Sequence, residues 1–139
     1  MKAFVDTSAW LAFYDRSDEH HAAAGRIAER LKAQRAGLVL SDFVLAESLT
    51  IIRFRLGHAP AVRFGQAVFG SRLAELLSVD GATRDRAWEI FRRYEDKAFS
   101  FTDCTSFAVM ERLGIKTAFA FDRHFAQYGF HVIQPDDHV

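Results

Sequence analysis

Residues 4–10 read FVDTSAW: a short apolar run cut off by an acid, then two hydroxyl residues and an alanine–tryptophan pair. Four residues, 2–5, are enough for a short strand. Its unbroken apolar character suits a strand covered on both faces, as in a parallel sheet. Asp6 then stands at the carboxyl end of that strand, and Ser8 is the expected cap of a helix over residues 9–14. The same arrangement returns near the other end of the chain, in AFAFDRHF at residues 118–125. There a strand over 117–121 is ended by Asp122, and a short helix over 123–128 is closed by Gly129.

Between these two points the pattern alternates. Ala23, Ile27, Ala28 and Leu31 fall at helical spacing and predict a helix over about 19–34. Residues 38–40 form a second apolar strand. Ser41 or Asp42 starts a helix that runs to Leu56 and is stopped by Gly57. Pro60 suits the first turn of a helix over about 59–69. A third strand is expected at 76–79. Thr83 is the expected cap of a helix over 84–94, with Asp85 near its positive end. Thr102 is the expected cap of a helix over 103–113, with Gly114 just past it. Residues 131–133 make a last strand. Strands separated by helices pair mainly in parallel through right-handed crossovers, so the expectation is a single domain over 1–139, a three-layer α/β/α fold with a central, mainly parallel sheet. The order of the strands is not readable at this level.

Composition narrows the field. Half of the 139 residues are hydrophobic and 26% are charged, the balance of a chain that buries a core. The formal net charge is zero, so any attraction for nucleic acid must be local. Cys104 is the one cysteine, which rules out an intramolecular disulfide and a cysteine-based zinc site. No stretch nears the roughly 18 continuous apolar residues of a membrane span. Asp6 also interrupts the first apolar run before a secretory signal can form. A cytoplasmic protein is expected.

Four acids border apolar runs. Asp6 and Asp122 end strands. Asp103 stands at a helix start in SFTDCTSF, residues 100–107, and Glu47 in the first turns of another in SDFVLAESL, residues 41–49. Parallel sheets place their working sites at the carboxyl ends of strands, so all four can share one crevice. Two like charges about 4 Å apart repel by about 4 kcal/mol at an effective dielectric near 20. Either some of the acids protonate or a cation neutralises them. Oxygen donors without a cysteine suit a hard cation, Mg²⁺ or Mn²⁺. Such an ion can activate a water for attack on a phosphodiester. Taken singly, each acid has an ordinary reading as a cap, a turn residue or half of an ion pair.

At these residues the chain resembles the PIN domain, a metal-dependent nuclease fold, and more narrowly the VapC-type toxins of toxin–antitoxin pairs. The matching pieces are FVDTSAW, DFVLAESL, SFTDCTSFAVMERLGI and AFAFDRHFAQYGF, in that order over nearly the whole chain. The resemblance implies that Asp6, Glu47, Asp103 and Asp122 are a catalytic and metal-binding quartet for one or two Mg²⁺ or Mn²⁺ ions. It implies an RNA substrate (tRNA, rRNA or mRNA), hydrolysis leaving a 5′-phosphate, a homodimer, and an antitoxin protein lying across a groove near the N-terminal helices. A PIN-type RNA-processing nuclease outside any such pair is the nearest alternative.

Several other residues bear on the chemistry. Thr7, Ser8 and Thr102 can position a water or a substrate phosphate, or simply cap helices. Arg123 and His124 can meet an RNA phosphate, or lie as surface residues. His20 and His21 lack metal-pair spacing and read as solvated. His131 and His138 form no constellation. Trp10, Phe13, Tyr14, Phe54, Phe64 and Phe69 crowd three helices. They can all be core, or leave an apolar groove for a partner helix, with Arg53, Arg55 and Arg63 as candidates for a basic rim. Two other chemistries compete: a phosphotransferase with Asp6 as nucleophile, using Lys97 or Lys116, and a binding module whose acids dock an arginine-rich peptide.

Overall fold

Ala3, Phe4 and Val5 have no more than 1% of their surface exposed. That is the burial of a strand covered on both faces, and the remaining elements are arranged around it. The computed structural model describes residues 1–137, so His138 lies outside the described residues. In chain order the elements are β1 (Lys2–Val5), α1 (Thr7–Tyr14), α2 (His21–Ala33), β2 (Gly37–Ser41), α3 (Asp42–Leu56) and α4 (His58–Phe69). They continue with β3 (Glu75–Leu77), α5 (Gly81–Arg93), α6 (Phe101–Leu113), β4 (Thr117–Phe119), α7 (His124–Tyr128) and β5 (His131–Val132).

The five strands form one parallel sheet in the order β3-β2-β1-β4-β5. Phe4 lies opposite Val39 on one side and Ala118 on the other. The chain winds outward from β1 through β2 to β3, then returns across the sheet to place β4 on the other side of β1. The β1–β4 seam is therefore a topological switch point, where the loops leaving two strands diverge and open a crevice. The helices fall into two packed groups, α1 with α2 and α3 and α3 with α4, and α5 with α6 and α6 with α7. The fold is the expected three-layer α/β/α arrangement. No helix among the described residues is long and apolar enough to cross a membrane.

Three caps differ from the sequence expectation, each for a local reason. Asp6, not Ser8, caps α1: its carboxylate accepts the Ser8 backbone N–H at 3.2 Å. Asp80, not Thr83, caps α5, accepting the Thr83 N–H at 2.8 Å while Thr83 itself is buried. Ser100, not Thr102, caps α6 in a reciprocal capping box with Asp103. In all three the helix begins two or three residues earlier than apolar periodicity suggests. β4 also ends at Phe119, so Asp122 lies three residues beyond the strand. Gly114 closes α6 at φ 68°, the left-handed conformation that a side chain disfavours.

Phe107 of α6 is fully buried at the meeting of α6, α7 and the sheet. Its ring lies 5.0 Å from Phe99, 5.1 Å from Phe125 and 4.5 Å from Tyr128, centroid to centroid. Truncating a buried phenylalanine typically costs about 3–5 kcal/mol. Phe107→Ala is expected to lower the unfolding free energy by that amount, read as a lower urea midpoint at an unchanged denaturant slope, while Phe54→Ala on an exposed position leaves the midpoint nearly unmoved. Equal midpoints for the two variants would contradict the packing described.

Candidate active site

The switch-point crevice is where three aspartates meet. Asp6 leaves β1 and its backbone N–H donates to the Phe119 carbonyl at 3.0 Å, extending the β1–β4 seam by one residue. Asp122 follows β4 in a tight turn, its Oδ1 accepting the His124 N–H at 2.9 Å. Asp103 enters from the first turn of α6. Its Oδ2 accepts the Ser100 N–H at 2.9 Å.

Each carboxylate thus commits one oxygen to the fold. Asp6 uses Oδ2, which also accepts the Ser8 hydroxyl at 2.7 Å. Among the described residues, Asp6 Oδ1, Asp103 Oδ1 and Asp122 Oδ2 accept no hydrogen bond. A ligand oxygen from each residue is therefore unclaimed in a site that already carries mutual repulsion.

The electrostatics follow. Asp6 is 3% exposed. Burial, then the negative charge of Asp122, push its carboxyl up to about 8, against the lowering effect of the Ser8 hydrogen bonds. Burial also raises Asp103, with Asp122 adding to the shift and the Ser100 N–H and His124 opposing it. His124 brings the one nitrogen of the set. Its Nδ1 lies 2.7 Å from Asp103 Oδ2, in a hydrogen bond that the ionised carboxylate accepts, and 4.0 Å from Asp122 Oδ1. One ligand atom each from Asp103, Asp122 and His124 lie within 4.8 Å of one another. The edge of Phe99 braces the imidazole at 5.7 Å. This set of oxygen donors with one imidazole fits a hard divalent cation.

Glu47 is placed differently. It is half-buried in the second turn of α3, where it lines a cavity of about 550 Å³ together with Phe43, Ile51 and Thr102. It makes no hydrogen bond or ion pair among the described residues. Like Asp6, it lies outside the 4.8 Å group, which holds Asp103, Asp122 and His124. None of the three aspartates lines that cavity, although Thr102 immediately precedes Asp103.

The supporting residues sort by their bonding. Ser8 is engaged within the fold: its hydroxyl donates to Asp6 and accepts the Phe121 N–H at 3.0 Å, locking the Asp6 carboxylate to the loop that carries Asp122. Thr7 is buried and its Oγ1 accepts from Ser48 Oγ at 3.3 Å, so it joins α1 to α3 and faces no substrate. The Thr102 carbonyl accepts the Thr105 and Ser106 hydroxyls, while its side chain remains on the Glu47 cavity. Arg123 is exposed on the rim of a polar cleft of about 410 Å³, with Lys97, Asp122, His124 and Gln127.

His20 and His21 are not simply solvated. The His20 ring stacks flat on Phe121 at 4.6 Å, and His21 Nδ1 is 2.8 Å from the Ala12 carbonyl. Cys104 is buried, and burial pushes its thiol up to about 11, so it supplies neither a nucleophile nor a soft ligand. His124 is the residue whose importance sequence reasoning missed. The available signal was its place two residues after Asp122, which a tight turn brings back toward the same crevice.

A parallel sheet with paired acids at its switch point, backed by an acid at a helix start, defines a class of acidic-centred α/β domains. The PIN domain model matches residues 3–131, and the chain belongs to that family. It is 39% identical over 137 residues to the 23S rRNA-specific endonuclease VapC20 of Mycobacterium tuberculosis, spanning 96% of this chain and 98% of that one. It is 28% identical over 118 residues to a VapC ribonuclease of Archaeoglobus fulgidus, spanning 84% of this chain and 74% of the relative. The crystal structure of Mycobacterium tuberculosis VapC20, described as a Sarcin-Ricin loop cleaving toxin, superposes with a TM-score of 0.85 at 36% identity over 96% of this chain and 99% of that one. Within the family the chain is of the VapC type.

The raised Asp6 carboxyl links stability to pH. Its folded value of about 8 stands above the ordinary 3.8, so the neutral form favours the fold, and this contribution is complete below about pH 4 and is lost as pH rises through 8. In EDTA, Asp6→Asn, which keeps an acceptor for Ser8 but no charge, is expected to melt higher than the parent. The gap should open from pH 4 to 8 and level off above, reaching about 5 °C or more. A melting-temperature difference that does not vary with pH would refute the buried-charge account.

Proposed function

We propose that this chain is a divalent-cation-dependent endoribonuclease and the toxin of a toxin–antitoxin pair. The observation that carries the proposal is the trio of unclaimed carboxylate oxygens on Asp6, Asp103 and Asp122 at the switch point of a VapC-type PIN domain. Buried like charges need a cation to stay ionised together. A divalent cation held there would supply charge neutralisation and Lewis acidity toward a phosphodiester.

The residues of the chain divide the remaining work. Asp6, Asp103 and Asp122 offer the cation their free oxygens, and Mg²⁺ or Mn²⁺ accepts such a set. Glu47 faces the same region from α3 and completes the acidic quartet, bearing on a ligand or water in the cavity. Ser8 fixes the Asp6 carboxylate against the Asp122 loop. His124 orients Asp103. Arg123 and Lys97, on the cleft beside Asp122, meet phosphates of the RNA. RNA is the substrate class, and rRNA is the form that the 39% identical relative's name brings forward.

The phospho-aspartate chemistry has less support. Lys116 precedes β4, at the opposite end of the sheet from Asp122, and Lys97 is paired with Asp96 at 3.5 Å. The acidic peptide-docking reading leaves the buried free oxygens of Asp6 and Asp103 without a use.

An antitoxin partner fits the α3–α4 surface. Trp10 and Phe64 pack together at 5.2 Å as core, and Tyr14 meets the same Phe64 ring at 5.4 Å. Phe54 and Phe69 are instead 85% and 66% exposed. A groove of about 440 Å³ runs beside them, lined by Leu49, Arg53, His58, Val62 and Phe69. An amphipathic helix is the shape and chemistry that such a groove takes. Arg53 rims it, while Arg55 is turned toward Asp15 and Asp18, at 4.0 and 3.8 Å. A homodimer is part of the same reading and is open to light scattering.

Purified protein is expected to cut RNA into discrete fragments with Mg²⁺ or Mn²⁺ and not with EDTA. Asp6→Asn and Asp103→Asn should remove cleavage while leaving the circular dichroism spectrum intact. His124→Ala should lower the rate about 10- to 100-fold, the usual cost of removing a residue that orients a metal ligand. Full cleavage by both asparagine variants, or in EDTA, would overturn the reading. Phe54→Asp with Phe69→Asp should abolish co-purification with the protein encoded alongside, while RNA cleavage persists. Undiminished co-purification would remove the groove from the partner's footprint.

A further inference from the structure

The loop after β4 that carries Asp122 is held by side chains from three directions, and two of them belong to the acidic crevice. The Phe121 N–H donates to Ser8 Oγ at 3.0 Å, and through Ser8 the loop is tied to Asp6. His124 Nδ1 lies 2.7 Å from Asp103 Oδ2. The third hold is a ring contact from outside the crevice. Phe121, the residue before Asp122, is half-buried, and its ring lies flat against His20 with centroids 4.6 Å apart and planes 5° apart. Phe119 meets the same ring edge-on at 5.9 Å. His20 comes from the turn between α1 and α2, far from Phe121 in sequence.

That turn is built without the His20 ring. Asp15 accepts the Ser17 N–H and hydroxyl at 2.9 and 2.7 Å, and Asp18 accepts the His20 N–H at 2.8 Å. Arg55 of α3 reaches both acids, and His21 Nδ1 is 2.8 Å from the Ala12 carbonyl. These bonds use the backbone of His20 and leave its imidazole free. Among the described residues the ring's one polar contact is Glu19 at 3.4 Å, on the exposed side. A rigid turn therefore presents a flat ring to Phe121. Asp122 has need of such support. The bond from its Oδ1 to the His124 N–H lies within its own turn, so it shapes that turn without fixing where the turn stands. Phe121 also borders the polar cleft of Lys97 and Arg123, so a ring released by His20 has room to rotate and to carry the loop with it.

We propose that His20 is a positioning residue for the divalent cation: by stacking on Phe121 it fixes the loop that presents the free oxygen of Asp122. The proposal rests on the divalent-cation reading above and adds to it a residue that touches no ligand. Neighbours that orient a metal ligand govern affinity for the metal. The contact calls for a flat face, which another aromatic ring supplies and an aliphatic side chain of similar bulk does not.

The test is Mn²⁺ binding to the full chain without RNA, read from the loss of the free ion's electron paramagnetic resonance signal. His20→Ala and His20→Leu are expected to bind Mn²⁺ about threefold to tenfold more weakly, the scale of one lost aromatic pair, and His20→Tyr to stay near the parent. Melting in EDTA should leave all three variants within a few degrees of the parent, which separates the effect from a loss of fold. In a Phe121→Leu background, His20→Ala should weaken Mn²⁺ binding no further, because the route to Asp122 is already gone. Parent-like Mn²⁺ affinity in both His20→Ala and His20→Leu, or an undiminished further loss in the Phe121→Leu background, would overturn the positioning role and leave the ribonuclease reading standing. Weaker RNA binding by His20→Ala in EDTA, with Mn²⁺ affinity intact, would overturn it in favour of a direct substrate contact. Failure of the parent to bind Mn²⁺ would overturn both readings.

Discussion

Mutual repulsion among carboxylates at one edge of the sheet is the constraint to which the rest of this structure answers. The charge of Asp122 raises the cost of ionising Asp6 and Asp103, and burial adds more, so that Asp6 is pushed up to about 8. A protein selected for stability alone would not gather these groups. The fold tolerates them because each has one oxygen held by a short-range donor: Ser8 for Asp6, Ser100 and His124 for Asp103, and the His124 N–H for Asp122. The other oxygen of each is left to a ligand. The same hydrogen bonds that make the acids tolerable also aim them.

Topology explains how three residues so far apart in sequence reach one crevice. The return of the chain from β3 to β4 lays β4 against β1 and sets Asp122 beside Asp6, across 116 residues of chain. Helix α6 lies just before β4, and its capping box turns Asp103 inward. Ser8 closes the arrangement, since one hydroxyl joins the Asp6 carboxylate to the backbone of Phe121. Polar bonding at the crevice is therefore continuous with the hydrogen bonding of the sheet, and the position of the acids is as rigid as the β1–β4 seam.

Much of this was legible from residues in order, and the boundary of legibility is physical. Strands β1 and β2 and helix α3 were readable because apolar runs and stop signals such as Gly57 act locally. The acids at the ends of β1 and β4 were readable because an ionisable group bordering a buried strand is rarely idle. Strand order was not, because the pairing of Ala3 with Thr117 depends on contacts far apart in sequence. Caps were misplaced by two or three residues because segments such as Asp6–Thr7–Ser8 offer several oxygens at nearly the same place, and only geometry selects among them. The bond of His124 to Asp103 was not readable for the opposite reason: the two residues are 21 apart in sequence.

The placement of aromatic residues carries the last step. Fourteen phenylalanines in 139 residues are more than one core of this size requires. The structure separates them by neighbourhood. Phe4, Phe64, Phe107 and Phe125 are buried in full and serve the fold. Phe54 and Phe69 lie exposed on the α3–α4 side, whereas Phe91 and Trp88 lie exposed on α5 at the end of a ring-to-ring run from the Glu47 cavity. Both surfaces hold apolar area against water, which favours association in each case. They differ in what surrounds them. The first is a groove between two helices, shaped for another helix. The second is a helix strip whose charges balance, Arg84 and Arg92 against Asp85 and Glu95.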